Sequence, residues 1–290
     1  TCSENLYIDR ELTKLQGGTA AEIQGVALGA SSASPIVISG ANVDLEDLTI
    51  TGITGDYYGL LIDDGGHAHL TNVDVEDAGN TGIMVTMSSS LELIGSRVRG
   101  NTNSGVVVKK SSHADLLGNT EISLNGSKGL QIRHNSSAEL NDTTILATTS
   151  QQSAVTVAEN STINIVDGNT LRNTNSASYS KATLALYRNS DARIVGFNNT
   201  IENTVTPLPL TFGSAQGFAI AAFYNSTVDI RNASPESTGN SYTQVNGNVV
   251  SGYHTVTVLR QARATSNFTS FSGTTLRFTP GNVGDLTING

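Results

Sequence analysis

Residues 59–70 read GLLIDDGGHAHL, residues 82–93 read GIMVTMSSSLEL and residues 105–116 read GVVVKKSSHADL; a fourth copy opens at Gly129. The copies begin 23, 23 and 24 residues apart. A fixed period of that length marks a stacked-repeat architecture, in which each unit touches only its neighbours and none buries its apolar face alone. The rest of the 290 residues aligns on this stretch.

The alignment anchors on a turn residue: Gly40, Gly65, Ser88, Ser111, Asn135, Asn160, Asn189, Asn225 and Gln261, at intervals of 25, 23, 23, 24, 25, 29, 36 and 36. Five and three residues before the anchor stand apolar side chains, as in Leu60 and Ile62, Val106 and Val108, or Leu130 and Ile132. A period of two is a strand with one buried face. Three and five residues after it the alternation resumes, as in Leu91 and Leu93 or Ala138 and Leu140, which predicts a second strand. An Asp, Asn or Gly follows (Asp47, Asn72, Gly95, Asn119, Asp142, Asn169), suited to the left-handed conformation of a sharp bend. A third apolar pulse comes next, at Ile50, Val75, Val98, Ile122, Ile145, Leu171 and Ile201.

Three strands per repeat make a coil, and coils stacked about 4.8 Å apart make three parallel sheets around one core. The expectation is an all-β solenoid, a right-handed parallel β-helix of about ten coils, forming a single domain over residues 1–290. Each coil buries about six aliphatic side chains worth roughly 1.5–3 kcal/mol apiece, so stability comes from stacking. The connections before the later first strands lengthen into loops near 172–183, 202–218 and 231–254, which carry Tyr179, Tyr242 and Tyr253. Long loops on a rigid scaffold are where function gathers.

Only 14% of residues are charged, tryptophan is absent, and the formal net charge is −9. That balance argues against nucleic acid or an anionic membrane as partner, since either needs a basic stripe. No apolar run reaches the length of a membrane span. One cysteine, Cys2, excludes an internal disulfide. The Asn-x-Ser/Thr triplets at Asn135, Asn160 and Asn225 fall on the repeated turn, where turn chemistry explains them.

The pattern apolar-x-apolar-x-x-(Asn/Ser)-Ser-x-x-x-(Leu/Ile), running nearly the whole chain, resembles the right-handed parallel β-helix superfamily of pectate lyases, polysaccharide hydrolases, epimerases, phage tailspikes and NosD-like proteins. The resemblance implies the fold and leaves activity open. In that family, insertions at the corner before the first strand wall a groove along the outer face of the first sheet. The resemblance therefore implies a secreted or cell-surface protein whose partner is a polysaccharide or cell-surface glycan.

Outward positions of the first strand give two clusters. Lys109, Lys110, Arg133 and His134 are cationic and fall on neighbouring coils. Some lyases of the resembled fold place Lys and Arg on consecutive coils; Lys109 as base and Arg133 as neutraliser of a uronate match that placement. Neither the Tyr-Gly-Phe-Asp-Pro-His motif of the alginate epimerases nor the paired-Asp pattern of the polygalacturonase-like hydrolases is present. The second cluster, Tyr187, Arg188, Phe223 and Tyr224, is aromatic and suited to stacking on sugar rings. The adjacent pair Asp63 and Asp64 points to opposite sides of a strand end and makes a poor acid pair.

The second sheet carries an outward ladder of Asp44, His69, Glu92, Asp115 and Glu139. Like charges so close raise one another's pKa or share a cation, which makes His69, Glu92 and Asp115 the candidate metal ligands and calcium the one cofactor left open. His67 and His113 read as surface residues. Three functions fit: a carbohydrate-binding or adhesive module without catalysis, a polysaccharide lyase or related uronate-active enzyme, and a filament subunit. In the last, the first coil at Leu6 to Ile8 pairs head to tail with the last near Leu286 to Ile288.

Overall fold

The computed structural model describes residues 1–3, 5–10, 12–18, 20–25, 34–52, 55, 57–147, 152–174, 182–195, 199–203, 218–223, 226–230, 243–245, 248–251, 254–259, 263–266 and 285–288. Most of the three long loops, with Tyr179, Tyr242 and Tyr253, lies outside these residues, as does Tyr224.

One sheet of ten strands collects the first strand of each coil: Leu6–Ile8, Ile36–Ser39, Leu60–Asp63, Ile83–Val85, Val106–Lys109, Leu130–Arg133, Val155–Ala158, Leu184–Tyr187, Phe218–Phe223 and His254–Leu259. Each of the eight between the first and the last pairs in parallel with the coil before and the coil after it. Among the described residues about seven turns make the solenoid proper, against the ten coils expected. From Ile36 to Asn203, each coil carries the full pattern of strands over a continuous core.

Second and third strands were expected to form separate sheets, and here they merge into one sheet of 20 strands. The reason is visible at two coils, where His113–Ser123 and Ser137–Ala147 pass through the bend as single strands of 11 residues. Among the described residues one pairing is antiparallel, Thr243–Val245 with Asn248–Ser251. No helix is long and apolar enough to cross a membrane among the described residues.

The core is the inward column of each strand. Leu60, Ile83, Val106, Leu130, Val155 and Leu184 stack in register and are fully buried. Each is roughly 1.5–3 kcal/mol of burial and touches its copies above and below.

Polar ladders close the corners. Ser89, Ser112, Ser136, Ser161, Ser190 and Ser226 are buried in the turn after the first strand. The backbone N–H of each of the first five donates to the Oγ of the next at 3.1–3.3 Å, so a stack of hydroxyls satisfies amides that the turn takes out of the sheet. Two residues of that turn lie in the left-handed region on six successive coils, from Asp64 (φ 52) with Gly65 (φ 77) to Arg188 (φ 58) with Asn189 (φ 59). The Asn-x-Ser/Thr triplets at Asn135 and Asn160 thus sit where turn geometry selects asparagine.

The second bend follows the expected pattern at Asp47, Asn72, Gly95, Asn119 and Asp142, all with φ between 53 and 64. One position differs. Gly168 (φ 67) takes the left-handed role, and Asn169 turns inward, accepting from the Thr143 N–H at 3.1 Å and donating to Leu140 O at 3.1 Å.

Candidate functional site

The outward column of the first sheet through Asp63, Thr86, Lys109 and Arg133 climbs one coil per residue. Thr86 N donates to Ile62 O at 2.9 Å, and Lys109 and Arg133 are direct register partners. The next outward column is Leu61, Met84, Val107 and Gln131. A bare sheet would expose both columns. Instead Met84, Val107 and Thr86 are buried, at 5%, 3% and 6% exposure, and the corners between third and first strands lie beside Met84 and Val107.

Those corners wall a depression of about 370 Å³. Its floor is Met84, Val107 and Gln131, its rim is Tyr58, Asn80, Asn103 and Lys128, and Lys109 and Arg133 lie at one side. The rim is itself built by stacking: Asn103 donates through Nδ2 to Asn80 Oδ1 at 3.2 Å and through its backbone N–H to Asn80 O at 2.9 Å. Behind it, the buried Asn101 accepts from the Ala78 N–H at 3.0 Å and donates to Asn125 Oδ1 at 2.9 Å. Among the described residues, short corners carrying asparagine line the groove.

Lys109 and Arg133 enter it without counter-charge. Neither forms an ion pair with a carboxylate among the described residues, and Arg133 Nε has no hydrogen-bond partner. Burial, and then the neighbouring charges of Arg133 and Lys110, hold the Lys109 amine below the ordinary lysine pKa. A cation so placed loses its proton more readily and attracts anions. Asp63 Oδ1 and Thr86 Oγ1 are also buried without a partner in the same column.

The other two members of the cationic cluster leave this face. Lys110 and His134 stand at left-handed turn positions, exposed. His134 Nε2 lies 2.7 Å from Glu159 Oε2, and Arg188 Nη1 lies 3.0 Å from Glu159 Oε1. Arg188, expected beside the aromatic residues, therefore belongs to a charged ladder along the turn. Tyr187 is half-buried in register with Phe223, whose side chain is outside the described set.

On the second sheet, Asp44, His69, Glu92, Asp115 and Glu139 stand in consecutive register as expected. Two of its carboxylates pair with histidines: Asp44 Oδ1 lies 3.5 Å from His69 Nδ1, and Asp115 Oδ1 lies 2.8 Å from His113 Nε2. Among the described residues no group of three His, Cys, Asp or Glu could hold a metal ion, which leaves His69, Glu92 and Asp115 without a common centre for calcium.

The alternation puts Met84, Val107 and Gln131 on this outward face with Lys109 and Arg133, and it misses the corner residues of the groove. Tyr58, Asn80, Asn103 and Lys128 lie in the corners, where the apolar alternation carries no information. The recurring asparagines of those corners were the available signal.

Comparison with solved structures finds the same architecture. An alginate lyase from Paenibacillus sp. str. FPU-7 is similar at 14% identity and a TM-score of 0.50, over 97% of this chain and 91% of that one. The A-module of the Azotobacter vinelandii mannuronan C-5 epimerase AlgE4 is similar at 13% identity and a TM-score of 0.50, over 97% and 85%. No curated protein matches in sequence. The family model described as "Right handed beta helix region" matches residues 34–234, which is most of the chain. With the parallel register and stacked core, that match makes the chain a member of the right-handed β-helix family.

Proposed function

We propose that this protein binds a uronate-bearing polysaccharide along the outer face of its first sheet and removes the proton at C5 of a uronate held there. The observation that carries the reading is the pairing of Lys109 and Arg133 on adjacent coils, in one groove, with no carboxylate opposite either among the described residues. The net charge of −9 makes this cationic groove distinctive. The names of the two similar structures, an alginate lyase and a mannuronan epimerase, support the same substrate class.

The chemistry follows from the two side chains. The Arg133 guanidinium neutralises the uronate carboxylate, which stabilises charge developing on the adjacent C5. Lys109, its amine biased toward the neutral form, takes the C5 proton. Collapse of that carbanion with departure of the oxygen on C4, protonated by solvent, leaves a C4–C5 double bond. Return of a proton to the opposite face inverts C5 instead. The names of the two similar structures, both polysaccharide-acting, support action outside the cell or on its surface.

The test is incubation with a panel of uronate polysaccharides, followed by ultraviolet absorbance for the conjugated double bond and by proton NMR for inversion. Product that disappears in Lys109→Ala supports the assignment. Binding without product reduces the protein to the carbohydrate-binding module, whose further anchor is then Tyr187. Neither binding nor product on any uronate removes the reading.

A further inference from the structure

We infer that Ser137 is an acyl-accepting nucleophile, activated by His113 and Asp115 on the outer face of the second sheet. His113 and Ser137 are register partners on adjacent coils, and Asp115 lies two residues beyond His113 on the same face. His113 Nδ1 lies 2.7 Å from Ser137 Oγ, and His113 Nε2 lies 2.8 Å from Asp115 Oδ1. This is the connectivity of a nucleophile, a base and an orienting carboxylate, with the two ring nitrogens exchanged relative to the serine-protease triad.

The carboxylate fixes the tautomer. Asp115 accepts from Nε2–H, which leaves Nδ1 as the acceptor for the Ser137 hydroxyl proton. The group is reachable, since the side chains of His113 and Asp115 are 43% and 38% exposed. It is also held rigidly, because the backbone N–H groups of His113 and Ser137 donate to Ser89 O and Ser112 O at 3.0 Å each.

Those same bonds limit the chemistry. With both amides committed to the ladder, no backbone pair is aimed at an incoming carbonyl, and an oxyanion hole is worth about 10²–10³ in rate. The substrate class is therefore acyl donors with good leaving groups, aryl esters and thioesters. Ser137 Oγ forms the new C–O bond as its proton passes to His113 Nδ1. The bond to the leaving group breaks, and that group takes the proton from His113. Water then cleaves the acyl-serine, giving the carboxylic acid and restoring the hydroxyl.

The molecule contains its own control. Two coils earlier in the same column, His67 Nδ1 lies 2.6 Å from Ser90 Oγ. The residue two beyond His67 is His69, which faces Asp44, and His67 has no carboxylate partner among the described residues. Ser90 thus has the base without the orienting acid.

The full chain is treated with p-nitrophenyl acetate, and acetylation is mapped by peptide mass. The expected result is acetyl on Ser137 at about tenfold or more over Ser90, falling ~10²-fold in His113→Ala. Asp115→Asn is expected to slow acylation and to move its pH midpoint downward, because His113 loses the bond that raises its pKa against the opposing effect of burial, with Glu139 a smaller contributor. Circular dichroism checks that each variant keeps its sheet. Equal labelling of Ser137 and Ser90, or a rate at Ser137 unchanged by His113→Ala, overturns the proposal. Its outcome is independent of the groove on the first sheet.

Discussion

Lys109 and Arg133 are Cα partners in the ladder of the first sheet, so two cations stand one coil apart, and neither forms an ion pair with a carboxylate among the described residues. Like charges that close are unfavourable unless a ligand supplies the anion. The arrangement weakens the resting protein in a way that can be measured.

Lys109→Met is expected to raise the melting temperature at neutral pH, by about a degree or more. The sign follows from linkage. The folded-state pKa of Lys109 is depressed below the ordinary 10.5, so the unfolded chain binds more protons between the two values and stability rises with pH there. The advantage of the Met variant should therefore shrink as pH climbs toward 10.5 and vanish above it. A wild-type and variant difference that is flat with pH would show that Lys109 is not destabilised by its surroundings.

Arg133→Ala is expected to weaken polysaccharide binding about tenfold to hundredfold, the worth of one charge-assisted contact of ~1.5–3 kcal/mol. Arg133→Lys should recover part of it, because charge is kept and the planar fork is lost. Affinity measured at two salt concentrations checks the electrostatic origin: the variant's binding should depend less on salt than the wild type's.

The serine stack makes a stability prediction separate from any ligand. Ser136 Oγ accepts the Ser112 N–H at 3.2 Å inside the turn. Ser136→Ala leaves that amide buried and unpaired, at a cost of about 1–3 kcal/mol. Ser137→Ala, one residue on and half-buried, is expected to cost less than about 0.5 kcal/mol. Urea midpoints of the two variants decide it, and equal losses would remove the ladder as a stabilising device.

The glycines that open each repeat extend the same logic. A Cβ on Gly105 would sit 2.8 Å from Gly129 O on the next coil and run into Ile122 Cγ2 of its own. Gly82 and Gly59 meet the carbonyls of Gly105 and Gly82 in the same way, at 2.9 and 2.8 Å. Gly105→Ala is expected to destabilise by ~1–3 kcal/mol, through displacement of backbone that cannot move without its neighbours. A thermal midpoint equal to wild type would mean that the coils can separate to admit a methyl group.

How much of this was legible beforehand depended on whether stacking repeats it. The inward column of Leu60, Ile83, Val106 and Leu130 was readable because burial imposes a period of two, and register then placed Lys109 beside Arg133. The left-handed step was readable at Asp47 and Asn72 and slipped by one at Gly168, where asparagine served the ladder instead of the bend. The burial of the outer face was not readable, because Met84 and Val107 lie beside corners whose conformation comes from buried amides at Asn101 and Asn125, and a hydrogen-bond ladder leaves no hydrophobic rhythm. The aromatic cluster lost Arg188 for a related reason. A turn residue at φ 58 points along the corner toward Glu159, whatever the parity of the strand suggests. The same register puts His113 beside Ser137, two residues after the anchors Ser111 and Asn135, but the approach of Nδ1 to Oγ depends on side-chain rotamers that no periodicity encodes.

His113 is also a stabilising group, through its contact with Asp115. Its bond to Asp115 raises its pKa above the ordinary 6.5 despite partial burial. A raised folded-state pKa means that the stabilisation is fully present below 6.5 and is lost as pH rises through the folded value. Asp115→Asn removes the carboxylate, so it should lower the melting temperature at about pH 5 and change it little at about pH 9. Both side chains are substantially solvated, which keeps the loss small. Melting curves of the two proteins across that range, with His113→Asn as the partner variant, check the origin of the effect. In the His113→Asn background, Asp115→Asn should have no pH-dependent effect at all, and a surviving dependence would assign it to Glu92 or Glu139, the carboxylates in register on either side of Asp115.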